Sequence, residues 1–373
     1  EQGKLTLLDD TLAAASFVAR DPVDTTISNS ASFSLNRDID LGVSTIIISD
    51  AGSSWRIQGS ATTITATSAI IDFTYTGADT LFFRSDSVNG RLGSVFFPST
   101  VVVIEEGADI NVVTLGSATD LRITPNVDAP FVFNTLIGVG NCGSYISIRS
   151  LTDGFPAYLR ANTAASTLSF IRFQDLTLSG STLTASQSLD DGNLSGPFAI
   201  TTPTSNTTLY WINDGGNWTD PNQWSTTSGG VAGTCIPGPG DDVIFDANSF
   251  SVPNQTVNLD RNAYCASMDW SGIDENANMD GPADKLEVDA SLTLSPVLNI
   301  DFSNEVRFTG TGNIATAQVN FPGPINFEGT AYIISDSLLS SQQITQKQGN
   351  VIATGKYISG ESYIRESTSG TLT

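Results

Sequence analysis

The chain has no histidine at all. That absence removes Ser-His-Asp triads, Cys-His pairs and histidine-ligated zinc together. Basic residues are scarce, 16 Lys and Arg against 39 Asp and Glu for a formal charge of -23. Affinity for nucleic acid comes mainly from Lys and Arg neutralising phosphates, so no nucleic-acid partner is expected. Anionic membrane surfaces are disfavoured for the same reason. No run approaches the 18 or so apolar residues of a spanning helix, so no direct membrane insertion is expected. Three cysteines in 373 residues cannot frame the fold. One bridge with a thiol left over is their natural count. Only 15% of residues are charged, leaving a surface of Ser, Thr, Asn and Gly of the kind common in secreted proteins. The opening Glu-Gln-Gly-Lys, without methionine or signal segment, leads us to expect a processed product or a piece of a longer protein.

What fills the chain is short strands. From Ala31 to Thr182, runs rich in Val, Ile, Phe and Thr alternate with Gly, Asp, Asn and Ser: Ser32–Leu35, Val43–Ile48, Ala69–Tyr75, Val101–Glu105, Ile110–Leu115, Leu121–Thr124, Tyr145–Arg149 and Thr167–Phe173 among them. Leu8–Arg20 reads equally as a helix or an early strand. Leu183–Thr208 is polar with Pro and Gly and reads as a unit end plus linker. From Leu286 to Arg365 short strands resume. A sandwich, a barrel or a β-solenoid would accommodate such a pattern. Three features favour the solenoid: hairpin turns of the Asn-Gly type are nearly missing, the strand run is long and unbroken, and similar blocks recur at Ser166–Gly180 and Ala290–Gly310. The expected fold is all-β: parallel β-helix (solenoid) units joined by a Trp/Cys-rich junction module. Residues 1–200 would be the C-terminal part of one unit, 201–280 the junction and 281–373 the start of a second unit.

The junction holds four of the five tryptophans and two of the three cysteines. Cys235 and Cys265 are the only cysteines within one module. A bridge between them would close a loop of about 30 residues and contribute roughly 3 kcal/mol; two buried thiols are the alternative. Cys142 has no evident partner and reads as a small buried core residue. Trp211, Trp218, Trp224 and Trp270 read as a plug over the open end of a β-helix, or else as an aromatic platform for sugar rings. Asp241, Asp242, Asp246 and Asn248 place several hard oxygens within eight positions, which would suit calcium. Asx-turn hydrogen bonding accounts for the same residues without metal. Asp190, Asp191 and Asn193 make a weaker case of the same kind. No other cofactor is expected. Acidic residues are otherwise scattered, and Arg84, Arg91, Arg122, Arg149 and Arg172 share no short motif with them. No catalytic set is therefore expected.

The order Tyr210-Trp211, Gly216-Asn217-Trp218, Asp220-Pro221 to Trp224-Ser225, Cys235, Phe245-Asp246-Ala247-Asn248-Ser249-Phe250, Cys265 and Met268-Asp269-Trp270 resembles a repeat opening in very large tandem-repeat cell-surface proteins of Bacteroidota. Those proteins are exported by type IX secretion and include gliding-motility adhesins. Ser188–Ser195 looks like the element that closes such a unit. The likeness is specific over 203–272 and a matter of texture elsewhere. It implies a secreted, cell-surface location and a window on a longer tandem array. Asp10-Thr11-Leu12, Asp79-Thr80-Leu81, Asp86-Ser87-Val88 and Asp336-Ser337-Leu338 look like the O-glycosylation signal of such secreted proteins. The expected function is a structural and adhesive segment of a long extracellular filament or appendage that attaches to surfaces or other cells. Its partners would be copies of itself, neighbouring repeats, surface polysaccharide or other cells. The alternative is a carbohydrate-binding or polysaccharide-degrading β-helix protein.

Overall fold

A computed structural model describes residues 5–6, 11–14, 17–19, 37–48, 54–57, 62–74, 78–85, 90–98, 100–366 and 371–372. The fold is all-β, with parallel strands stacked as a β-solenoid of about 14 turns. No α-helix occurs among the described residues. Within Leu8–Arg20 the described pieces, Thr11–Ala14 and Phe17–Ala19, are strands paired in parallel with Thr45–Ile48 and Ser54–Ile57. Pairing with the next coil decides between helix and strand there. The expected strand at Ser32–Leu35 lies outside the described residues.

The chain divides into two compact units, Glu1–Thr202 and Pro203–Thr373. In the first, the long strands Thr62–Phe73, Leu92–Phe97, Ala108–Leu115 and Phe131–Val139 stack in parallel, and a second set, including Leu81–Ser85, Val101–Ile104, Asp120–Ile123 and Ile146–Ser150, stacks beside them. Side chains alternate in and out along each strand. The inward ones line up from coil to coil. Ile46, Ile71, Val95, Val113 and Leu136 form one buried file. Leu81, Val102, Leu121, Ile148 and Phe173 form another. Each such side chain, fully withdrawn from water, contributes about 1.5–3 kcal/mol.

Coil length in this unit is uneven. Ser94 pairs with Val112, eighteen residues on, whereas Ile137 pairs with Thr167, thirty residues on. Extra residues go into corners, where stacked left-handed positions turn the chain. Asp175 and Asn193 (φ 53° and 56°) face each other on adjacent coils, and the Asn193 Nδ2 donates to Asp175 Oδ1 at 2.7 Å. Asn and Asp tolerate that backbone region better than most residues.

The unit end plus linker expected over Leu183–Thr208 is found in part: the boundary between the two units falls within it, at Thr202/Pro203, and residues 201–207 carry no strand, but the stretch before them is not linker. Leu183–Ala185, Leu189–Ser195 and Phe198–Ile200 are strands that continue the stack. The stretch reads as polar because inward residues are interleaved with exposed ones and include a buried hydroxyl: Leu183 and Ala185 are buried between exposed neighbours, and Ser188 is buried next to Leu189.

The second unit winds more evenly. Leu209, Val243, Met268, Leu292, Ile314 and Ile334 make one buried file. Ala263, Leu286, Val306, Ile325 and Ile344 make a second, and its coil settles at nineteen residues from Val306 to Ile325 to Ile344 to Tyr363. Residues 203–280 are not a separate body. Their strands Thr208–Trp211, Asp242–Ile244 and Met268–Asp269 belong to the same sheet as Leu292–Thr293 and Thr311–Ala315. The expected junction module is the first coils of the second unit.

Candidate functional site

The first coils of the second unit are built around aromatic rings. Trp211 ends the strand Thr208–Trp211, and its partner in the ladder is Trp224, in the short antiparallel strand Trp224–Ser225. Asp220 caps the 3-10 turn Pro221–Gln223 that delivers Trp224, its side chain accepting from the Asn222 N–H at 2.9 Å. The Trp224 ring meets Trp211 and Trp218 edge to face, with centroids 5.0 and 4.9 Å apart. Phe245 extends the cluster and lies flat on Trp270, 3.5 Å away and 5° from parallel. All four tryptophans are buried, none more than 1% exposed. The Trp211 indole N–H donates to the Asp214 carbonyl (2.5 Å) and that of Trp224 to the Trp218 carbonyl (2.9 Å). Those of Trp218 and Trp270 find no partner. Rings withdrawn from the surface to this extent cannot serve as a sugar platform.

The cysteines are distributed otherwise than expected. Cys142 and Cys235 are each disulfide-bonded, and Cys265 carries a free, buried thiol. No Cys235–Cys265 bridge forms. Cys265 sits in an inward file with Val288, Phe308 and Phe327, directed into the core, whereas Cys235 lies in a half-buried loop. Burial pushes the Cys265 thiol well above its ordinary pKa, and the carboxylates of Asp242 and Glu287 add to the effect. Cys142, expected as a core residue, is instead half-buried on a turn.

The four residues proposed for calcium do not converge. No group of three or more His, Cys, Asp or Glu that could hold a metal occurs among the described residues. Asp241 is buried and committed to the chain: its carboxylate accepts from Ser205 Oγ (3.0 Å), the Thr207 N–H (3.0 Å) and the Gly238 N–H (2.9 Å). Asp246 accepts from the Asn248 N–H at 2.9 Å, an Asx turn, and Asn248 donates to Ser228 Oγ at 2.8 Å. Asp242 lies in a strand beside Thr208. The weaker set is likewise engaged. Asp191 is a buried, bidentate partner of Arg172 (2.8 and 2.9 Å), and Asp190 accepts from the Gly192 N–H.

Charge is sorted by face in the first unit. Arg56, Arg84, Arg122, Arg149 and Arg172 rise from strands of one face, each against a carboxylate, mostly from another coil. Arg56 meets Glu105 at 2.6 Å, Arg84 meets Glu106 at 2.5 Å, and Asp120 lies between Arg122 and Arg149. Burial would raise the Asp120 carboxyl, but the two guanidiniums outweigh it and hold it below the usual range. The face formed by Thr45–Ile48 and by the second halves of the strands Thr62–Phe73, Leu92–Phe97, Ala108–Leu115 and Phe131–Val139 is different. Its outward residues form two columns in register. One runs Thr45, Ile70, Ser94, Val112, Thr135; the other runs Ile47, Asp72, Phe96, Thr114, Ile137. All ten are half-buried or exposed, and Asp72 is the only charge. Sequence reading missed this face, because the two columns appear only once the unequal coils are aligned.

The chain matches no protein-family model, no curated protein and no solved structure.

Proposed function

We propose that this chain is a structural and adhesive segment of a long, secreted, cell-surface filament or appendage, of the kind built by the tandem-repeat proteins of Bacteroidota exported by type IX secretion. The observation that supports this reading best is the rung-to-rung cross-linking of side chains on top of the parallel ladders. Asn111, Asn134 and Asn162 hydrogen-bond in series (2.8 and 3.0 Å). In the second unit Glu328 joins Arg307 (3.6 Å) and Lys347 (2.6 Å) on the coils either side. Such ladders resist sliding and bending of coil on coil, which is what a stiff spacer needs. A disulfide fits an oxidising, extracellular setting. The buried carboxylates Asp191 and Asp241 are taken up by Arg172 and by turn-forming bonds, and Asp120 by two arginines, so the role is read as non-enzymatic.

The test is adhesion without turnover. Beads carrying the full chain should be retained under flow on polysaccharide-coated or cell-coated glass, with no release of reducing or unsaturated sugar ends. Product release, or beads that wash away like uncoated ones, would overturn the reading.

A further inference from the structure

We infer that the neutral face of the first unit takes a second copy of this chain, packed face to face and antiparallel about a two-fold axis through Ser94 and Phe96. The contact gives the filament reading a lateral partner and relies on that reading only for its purpose. The observation is a pattern across five rungs. Each rung presents one apolar and one polar side chain, and their order reverses from rung to rung: Thr45/Ile47, Ile70/Asp72, Ser94/Phe96, Val112/Thr114, Thr135/Ile137. A two-fold axis lying in the interface along the strand direction keeps the columns and inverts the rungs. It sets Ile47 against Ile137, Ile70 against Val112, and Phe96 against its own copy. Thr45 then meets Thr135, Ser94 meets Ser94, and the single carboxylate, Asp72, meets the Thr114 hydroxyl. Every cell finds its own kind. A C2 contact demands such self-complementarity.

Electrostatics restrict where two copies can meet to a face nearly free of charge. Two copies at -23 each repel. The facing charges on this surface are only the two Asp72 carboxylates, which the antiparallel arrangement places two rungs apart, roughly 10 Å at strand spacing. The two columns cover only about 300 Å² per copy, given rungs about 4.8 Å apart. A standard stable interface covers about 800 Å² per partner. The contact is therefore weak between free chains and strengthens with salt, which screens the net repulsion. Chains held side by side would gain from high effective concentration.

Cysteine placement tests it on the intact chain. Ser94→Cys should cross-link to itself under mild oxidation at least about tenfold faster than Val127→Cys, an exposed control off this face. Thr45→Cys mixed with Thr135→Cys should cross-link faster than either alone. Phe96→Lys, placed on the axis, should abolish the Ser94→Cys product and the salt-promoted dimer in sedimentation. A Ser94→Cys rate equal to the control would overturn the inference. So would Thr45→Cys linking to itself faster than to Thr135→Cys, the mark of a parallel pair. If Phe96→Lys misfolds, the cysteine pairs still decide. Bead adhesion is measured separately: cross-linking lost with adhesion kept sinks this contact alone, and the reverse sinks the adhesive reading alone.

Discussion

Replacing Trp224 by alanine tests whether the aromatic cluster seals the second unit. Trp224 is fully buried and touches Trp211, Trp218 and Phe245, and its N–H is spent on the Trp218 carbonyl. Truncating a buried Trp costs about 3–5 kcal/mol from transfer and cavity. Two edge-to-face pairs add about 0.5–1.5 kcal/mol each, and the stranded carbonyl adds about 1–3 kcal/mol. These overlap, so a loss of about 4–6 kcal/mol is expected, much of the stability of an ordinary domain. Trp224→Phe keeps a ring and loses mainly the hydrogen bond, for about 1–2 kcal/mol. Urea unfolding followed by indole fluorescence suits the question, because four of the five tryptophans lie in the second unit. Far-UV circular dichroism should show the first unit's transition little changed, since solenoid stability is summed locally. The reasoning fails if Trp224→Ala lies within about 1 kcal/mol of the parent, or if Ala and Phe cost the same. A sugar platform would give the opposite pattern, with binding lost and the unfolding midpoint unmoved.

Three further outcomes follow. Asp241→Ala should destabilise the second unit by about 2–4 kcal/mol through the loss of three bonds to a charged acceptor, and millimolar calcium should leave the parent's melting temperature unchanged; a rise of several degrees would restore the metal. Asp120 has a folded pKa below its unfolded value near 4, so its contribution is present above that pH and is lost as pH falls through the lower folded value. Glu305, held down by Arg307 and Asn326 against the upward pull of burial, behaves likewise. Asp120→Asn should flatten the acid limb of the stability curve, and an unchanged limb would remove the assignment. Finally, unreduced chain should show one thiol to a labelling reagent after denaturation and almost none before; three thiols, or a fast native one, would contradict a buried, free Cys265 with Cys142 and Cys235 both disulfide-bonded.

How much of this was legible depended on range. Alternation within a strand is local, so Val43–Ile48 and Tyr145–Arg149 announced themselves, and their number and lack of hairpin turns pointed to parallel winding. Side-chain partners one coil away were not legible, because coil length in the first unit varies between neighbours. Arg172 looked like a scattered charge and Asp191, nineteen residues on, like part of a calcium set, yet they form the buried pair. Cys265 misled for a related reason. Sequence proximity to Cys235 counted for more than its place in an inward file with Val288 and Phe308. The acidic loop was ambiguous by nature: the same oxygens satisfy backbone N–H groups or a cation, and only geometry separates the two.

The unequal coils also explain where the tryptophans had to go. A wound sheet leaves open strand edges and apolar rims at its ends. Most of the second unit turns in nineteen to twenty-five residues, but its first coil is inflated, with Gly216 paired to Val257, forty-one residues on. The surplus contains the antiparallel strand Trp224–Ser225, which is the terminal strand of the eight-stranded sheet. A strand of opposite sense lies at that edge and breaks the parallel register, so a further parallel coil cannot add there. The same surplus carries Trp218 and Trp224 across to Trp211, filling the rim with rings. Shortening that coil to twenty residues would delete plug and edge strand together. The expectation is an aggregating second unit rather than a merely weaker one, since it would expose edge and rim at once.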